Sequence, residues 1–259
     1  MEVKVKTLFT GLENLIGKTK LEKRHQAKVT IIGLGGIGSW AAECISRSGI
    51  GHITLIDLDD ICVSNTNRQI HTMQSTLGQS KVLTLKNRLI DISPEIEVHT
   101  VQDFLTSDNM QELISKDHII LDAMDSLKVK CELISYCLEQ HIPLITTGGA
   151  AGKTDPTKVQ INDLSQTFND PLLLRVRKKL RRGFDFPKKK KVHLGIRTVF
   201  SPEEMLTLTI SPNNDMEEIC DQDSIIPNCN NGLGTCVTVI STFGILAAKE
   251  VLNIIDSKN

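Results

Sequence analysis

The chain has 259 residues, 40% of them hydrophobic and 24% charged, with a formal net charge of −1. That balance is ordinary for a globular protein with a sizeable core and argues against a disordered or collagen-like chain. The seven cysteines, at 44, 62, 131, 137, 220, 229 and 236, contain no C-x-x-C pair, so neither a disulfide scaffold nor a zinc site is expected.

The opening MEVKVKTLF lacks a long apolar core and a small-residue cleavage site, so no secretory signal is expected. Residues 1–28 form a polar lead-in with Leu8, Leu12, Leu15 and Leu21 at near-helical intervals, which predicts short helices packed on the following unit or on a partner subunit. Val29 to Ile32 then reads as a buried parallel strand. At its end Gly33, Gly35 and Gly38 fall in the spacing G-x-G-x-x-G. A helix is expected over Ser39 to Ser48, with Trp40, Ala41, Cys44 and Ile45 facing inward, and a second strand over Ile53 to Ile56, closed by Asp57 nineteen residues after Gly38. Glycines let the backbone approach a phosphate, a helix N-terminus offers unpaired N–H groups, and a carboxylate at the next strand's end can accept ribose hydroxyls. The fold class this predicts is α/β, a Rossmann-like, mostly parallel sheet flanked by helices.

Further on, Lys81 opens a helix to about Ile92, Glu97 to Val101 reads as a strand, Asp108 to Ser115 as a short helix and His118 to Ala123 as a central strand. Asp122 and Asp125 stand at the carboxyl end of that strand, where each could reach a phosphate-bound metal or cap the helix Leu127 to Gln140. A strand over Pro143 to Thr147 runs into TTGGAAG, whose glycines suggest backbone packed close to a ligand or to the neighbouring sheet. From Lys158 the pattern changes to short polar strands, KVQIND, IRTVFS and MLTLTI, which predicts an antiparallel second half continuing the same sheet. Asp215 to Asn231 reads as a loop. Thr235 to Ile255 is a largely apolar helix, buried against the sheet or a second subunit; Lys249 and Glu250 interrupt it too early for a membrane span. No membrane partner and a cytosolic location are expected.

Charge is unevenly distributed. Arg175, Arg177, Lys178, Lys179, Arg181, Arg182, Lys188, Lys189, Lys190 and Lys191, against Asp185, give that segment +9 while the rest of the chain carries −10. Such a segment suits the backbone of a nucleic acid. The single Tyr and single Trp argue against an aromatic stacking platform, so recognition is expected to rest on charge and shape, with one base displaced into the pocket.

The order GLGGIG, DLD, SNTNRQIH, Lys81, DAMDS resembles the adenylation domain shared by ubiquitin-activating enzymes and the ThiF/MoeB family. Within it NTNRQIH, TTGGAAGKTDPTKVQINDLSQTFNDPL and TVISTFG look most like the tRNA threonylcarbamoyladenosine dehydratases, over nearly the whole chain, read as one domain with a nucleotide-binding half at 29–157 and a substrate and dimerisation half at 158–259. That resemblance implies ATP and Mg²⁺ as cofactors, with a monovalent cation (Na⁺ or K⁺) as a further option. Gly33, Gly35, Gly36 and Gly38 would form the nucleotide loop, Asp57 would hold the ribose with Asp59 beside it, and Asn65, Arg68 and Lys81 would contact phosphates. Arg68, Lys81 and an Asp125-held Mg²⁺ would stabilise charge as an adenylyl group is transferred. The implied reaction is ATP-dependent cyclisation of threonylcarbamoyladenosine beside a tRNA anticodon, through an acyl-adenylate, by a homodimer. A cysteine-desulfurase or sulfur-acceptor partner is carried by family resemblance alone.

Two departures from the family pattern bear on this. Relatives carry arginines in R-F-x-G-x-x-x-L-x-G near the N-terminus, reaching across a dimer, whereas this chain reads LFTGLENLIG, with Leu8 and Asn14 at those places; Arg24 or Lys18 are the candidate substitutes. Cys229 lies near a loop cysteine that receives a carrier protein or sulfur in relatives, and here it reads as a structural or incidental thiol. Two other functions stay open: an activating enzyme for a ubiquitin-like sulfur carrier, and a non-catalytic nucleotide-binding scaffold.

Overall fold

The computed structural model of the protein describes residues 8–184, 186–187, 192–206 and 234–257. Two helices, α1 (Thr10–Ile16) and α2 (Lys18–Gln26), precede a run of alternating elements: β1 (Lys28–Ile32), α3 (Gly36–Arg47), β2 (His52–Ile56), α4 (Lys81–Ile92), β3 (Glu97–Val101), the single-turn α5 (Met110–Leu113), β4 (Ile119–Asp122), α6 (Leu127–Glu139) and β5 (Leu144–Thr147). Then come β6 (Gln160–Asp163), α7 (Pro171–Gly183), β7 (Arg197–Phe200) and α8 (Val237–Ser257).

The seven strands form one sheet in the order β3-β2-β1-β4-β5-β7-β6. All neighbouring pairs are parallel except β6 with β7, which is antiparallel, as the change of pattern after Lys158 predicted. The chain builds outward from β1 to β3 and then returns to lay β4 against the other side of β1. That reversal is the switch point beside which ligands bind in open α/β sheets, beyond the carboxyl ends of the strands.

The central strands read as continuous apolar runs because both faces are covered. One face of the sheet packs Val29, Ile31, Ile53 and Leu55 against Ala41, Ala42 and Ile45 of α3, Val82, Leu85 and Leu89 of α4, and Phe243, Ala247 and Val251 of α8. The other packs Ile32, Ile56 and Ile120 against Ile134 and Cys137 of α6 and Leu173, Val176 and Leu180 of α7.

The structure corrects some expectations and decides between the alternatives left by others. The helix after β1, α3, begins at Gly36, three residues before the expected Ser39, because the glycine turn itself supplies the first helical residues, and the N–H of Ser39 donates to the carbonyl of Gly35 at 3.2 Å. The last helix lies against α3 and the sheet of its own chain: a Cβ on Gly244 would sit 2.6 Å from the carbonyl oxygen of Ile37 and 2.9 Å from the nitrogen of Ala41, so the two helices touch backbone to backbone. This intramolecular packing explains its apolar composition; it is long and apolar enough to cross a membrane, yet half of its apolar window is buried. Of MLTLTI, Met205 and Leu206 form no strand, and 207–210 lie outside the described residues, as do the loop 215–231, Cys220 and Cys229. The lead-in packs on the nucleotide half: Gly49, at φ +82°, leaves room for Leu21, whose Cδ1 would lie 2.8 Å from a Cβ there.

Candidate active site

Three strand ends converge on the glycine turn. The N–H of Gly33 donates to Ile56 at the end of β2 (3.0 Å), and the N–H of Ala123, just past β4, donates to Ile32 of β1 (2.9 Å). Gly33 adopts φ +83°, and a Cβ on it would meet the Ala123 carbonyl oxygen at 3.0 Å. A Cβ on Gly38 would overlap the carbonyl oxygen of Gly33. Gly35 differs, because the nearest atom to a Cβ there, Gln69 Nε2, lies 4.0 Å away. Gly33 and Gly38 are therefore required by the turn itself, while Gly35 is left for close approach from outside.

Asp57, only 8% exposed, reaches back from β2 to the same turn. Its Oδ2 accepts from the N–H of Leu34 (2.5 Å) and its Oδ1 from the N–H of Asp59 (2.9 Å). Burial pushes its carboxyl above the usual range, against the opposing pull of those amides and of Lys81. Lys81, 5% exposed at the start of α4, pairs with Asp59 at 2.6 Å. Its backbone N–H donates to the Asp59 carbonyl (3.1 Å), so the strand-end DLD motif both seats and aims the ammonium.

The segment SNTNRQIH carries a 3₁₀ turn, Val63–Asn65, stapled by the Asn65 side chain, whose Oδ1 accepts from the N–H of Cys62 at 3.0 Å. Arg68 stays partly exposed; its Nη1 donates to the Ser64 carbonyl (2.6 Å) and to Asn67 Oδ1 (3.1 Å). Trp40 of α3 donates its indole N–H to the Arg68 carbonyl at 3.0 Å, and the Arg68 side chain runs past Gly36. The turn, Asp57, Asp59, Asn65, Arg68 and Lys81, assembled from separate stretches, thus share one end of the sheet.

The acidic pair after β4 divides. Asp122 is fully buried and bonds Lys130 Nζ (2.6 Å) and Thr146 Oγ1 (2.6 Å), so it serves neither as a metal ligand nor as a helix cap. Asp125 is exposed on the loop leading to α6. Among the described residues no three His, Cys, Asp or Glu groups cluster to hold a metal by themselves. A Mg²⁺ fits Asp125 in the manner usual for that ion, one protein carboxylate together with substrate phosphates.

Other predicted residues land elsewhere. Arg24, the candidate substitute for the missing N-terminal arginines, is 6% exposed and locked to Asp256 of α8 through two bonds, at 3.0 and 2.7 Å. Lys18 pairs along its own helix with Glu22 at 3.6 Å. Of the basic segment, Lys178 and Arg182 are exposed on α7, Arg175, Lys179 and Arg181 are half-buried, and Lys188 to Lys191 lie outside the described residues. Arg177 departs from the set: at 9% exposed it turns inward and bonds the Thr167 hydroxyl, and burial lowers its affinity for a proton. In TTGGAAG, Gly148 packs against Asp170 and Leu173 and its N–H donates to Val199 of β7 (2.9 Å). The N–H of Gly149 donates to Asp170 (2.9 Å), the carboxylate that caps α7, while among the described residues no atom beyond its chain neighbours lies within 4 Å of where its Cβ would stand.

Sequence reasoning passed over Gln69, His71 and Lys130. Gln69 and His71 stood in the quoted motif without a role. Both are buried, and Gln69 Oε1 and both His71 ring nitrogens have no hydrogen-bond partner among the described residues. Spacing from Asp122 was the one signal for Lys130.

A glycine turn at a sheet switch point, with carboxylates and cations gathered over it, defines a nucleotide-binding α/β protein. The chain belongs to the ThiF family, whose profile matches residues 10–259. It is similar to the tRNA threonylcarbamoyladenosine dehydratase of Escherichia coli, with 40% identity over 250 residues covering 94% of this chain and 91% of that protein. It is likewise similar to the solved structure of an E. coli tRNA N6-threonylcarbamoyladenosine dehydratase in complex with ATP, with 39% identity and a TM-score of 0.84 over 96% of this chain and 94% of that one. The solved complex of the dehydratase with AMP matches with a TM-score of 0.84 and 38% identity.

Proposed function

We propose that this chain is an ATP-dependent tRNA threonylcarbamoyladenosine dehydratase. The observation that carries the reading is the gathering of the glycine turn, Asp57, Arg68 and Lys81 at one switch point, in a chain alike over 94% of its length to a protein of that name. The turn at Gly35 and Gly36 takes the phosphates, with the first N–H groups of α3 directed at them. Asp57 accepts a ribose hydroxyl on its remaining lone pairs. Arg68 and Lys81 face the phosphates, and their charge counters what develops on the α-phosphate and the departing pyrophosphate. Lys81 exchanges Asp59 for phosphate with little movement, being held at its base by the Asp59 carbonyl. Mg²⁺ held by Asp125 supplies further Lewis-acid charge when bound; a monovalent cation rests on the family resemblance.

The threonyl carboxylate attacks the α-phosphate, giving an acyl-adenylate and pyrophosphate. The carbamoyl group of the same substituent then closes a five-membered ring on the activated carbonyl and expels AMP, an intramolecular step that needs no protein nucleophile. Cys131 and Cys137 take no part, since burial pushes their thiols up to about 11 and about 12 and keeps those two protonated. The exposed face of α7, with Lys178 and Arg182, supports tRNA as the partner, and a cytosolic location follows from that substrate. A homodimer rests on the family resemblance.

The test is mass spectrometry of nucleosides from threonylcarbamoylated tRNA incubated with the protein, ATP and Mg²⁺. Loss of one water from the modified adenosine is expected, with Lys81→Ala giving none while keeping its fold. An unchanged nucleoside in the presence of bound ATP refutes the dehydratase and favours the sulfur-carrier or scaffold function.

A further inference from the structure

A cavity of about 480 Å³ opens beside the N-terminus of α7, lined among others by Phe168, Asp170, Leu174, Arg177, Glu204 and Met205. It lies on the same rim of the sheet as the glycine turn. Gly149, just past the carboxyl end of β5, binds Asp170, and Phe200, the last residue of β7, meets Phe168 edge to face with ring centroids 5.8 Å apart. Because β5 and β7 are the next two strands after β4, the cavity stands roughly 10 Å along the rim from the β4 end, at about 4.8 Å per strand. That is a span of about three nucleotides or fewer, since an unstacked strand covers more than the roughly 3.4 Å per nucleotide of a stacked one.

Its walls are firmly built. Lys153, 1% exposed, donates its Nζ to the carbonyls of Ser201 (2.5 Å) and Asn169 (3.3 Å), and the Asn169 side chain donates to the carbonyl of Pro202 (2.9 Å). Asn169 itself adopts φ +53°, a left-handed conformation that turns the chain sharply between Phe168 and the capping Asp170. Phe168 is left 52% exposed on this braced turn, although it is a large apolar ring anchored on a buried partner. Arg177 also lines the cavity, with guanidinium N–H donors beyond the one given to Thr167, and Glu204 adds an exposed acceptor.

We propose that this cavity is a second nucleobase pocket, in which an unstacked base of the tRNA anticodon loop, a few nucleotides from the reacting adenosine, stacks on Phe168 and hydrogen-bonds Arg177. The inference rests on the tRNA reading above. An aromatic face with a guanidinium beside it is the usual means of holding a splayed base of single-stranded RNA. The basic face of α7 runs from the pocket's edge, so phosphates on either side of the bound base meet positive charge. The scarcity of Tyr and Trp pointed away from stacking, and the structure supplies a phenylalanine where one ring suffices.

The experiment uses the full chain and threonylcarbamoylated anticodon stem-loops, native or with a single loop base replaced by an abasic sugar, with affinity read by fluorescence anisotropy at one salt concentration. Phe168→Ala is expected to weaken native RNA on the order of tenfold, and Phe168→Trp to restore it. One abasic position is expected to reproduce that loss and to make Phe168→Ala silent, the coupling a direct contact produces. Phe168→Leu, which keeps an apolar anchor, controls for folding by thermal unfolding. Native RNA binding Phe168→Ala within twofold of wild type, or a loss identical on every abasic RNA, overturns the pocket. Wild-type protein that binds ATP but no stem-loop overturns the tRNA reading instead, and the pocket with it.

Discussion

Lys130→Met isolates the ion pair that supports the loop carrying Asp125. Lys130 Nζ lies 2.6 Å from Asp122 Oδ2, and it also donates to Thr146 Oγ1 (3.1 Å) and the Thr147 carbonyl (3.2 Å), with both side chains fully buried. Removing the ammonium leaves a buried carboxylate with Thr146 Oγ1 and the Met124 N–H as its remaining donors. Breaking a buried pair from one side costs about 3–5 kcal/mol, whereas replacing both members is close to neutral, because the desolvation of two charges is relieved together. For a chain of this size that is a fall in Tm of roughly 6–20 °C. Asp122→Asn with Lys130→Met keeps an acceptor for Thr146 and should recover at least about 2 kcal/mol of the loss. Urea unfolding of wild type, both single variants and the double variant gives the coupling directly. A single variant within about 1 kcal/mol of wild type, or a double variant no more stable than Lys130→Met, refutes the account of this pair.

The glycines separate by role. Gly38→Ala should destabilise the protein by about 1–3 kcal/mol or more through collision with the Gly33 carbonyl, while Gly35→Ala should melt like wild type and lose ATP affinity, as read by calorimetry. His71 is buried, and that burial, aided by Lys81 and Arg88, lowers its pKa from 6.5 to about 4. Its neutral form is the native one, so its contribution is intact above pH 6.5 and is lost as pH falls toward 4, where the unfolded chain binds a proton that the folded one refuses. His71→Gln should therefore reduce the stability difference between pH 7 and pH 4.5 by about 2–3 kcal/mol in denaturant titrations; an unchanged difference rules out the buried neutral ring. Neutralising Lys178 and Arg182 together should flatten the salt dependence of tRNA binding by about 1.4–1.8 in log–log slope, and an unaltered slope removes that face from the interface.

Much of the nucleotide end was legible along the chain because its rules are local. The apolar run Val29 to Ile32, the spacing of Gly33, Gly35 and Gly38 and the acid at Asp57 all lie within one βαβ unit, where turn chemistry and strand period fix relative positions within a few residues. The antiparallel outer strand was legible for the same reason, as a change of period after Lys158. Arg24 was not: nothing near it announces Asp256, 232 positions away, and its guanidinium is committed to that partner. The inward turn of Arg177 was not legible either, since a count of charges in LLLRVRKKLRR carries no phase, and the helix directs that one arginine toward Thr167 while Lys178 and Arg182 face outward.

Local spacing sufficed for the class of fold and the glycine turn, while the roles of Asn65, Arg68, Lys81 and Asp125 came from the family resemblance. Folding at long range settled which charges meet which. Asp122 and Asp125 are three residues apart and chemically alike, yet one is enclosed between β4, β5 and α6 with Lys130 and the other stands in solvent. No property of either residue distinguishes them; the distinction arises when β5 delivers Thr146 and α6 delivers Lys130 to the same point, and a buried charge must be met by partners wherever in the chain they come from.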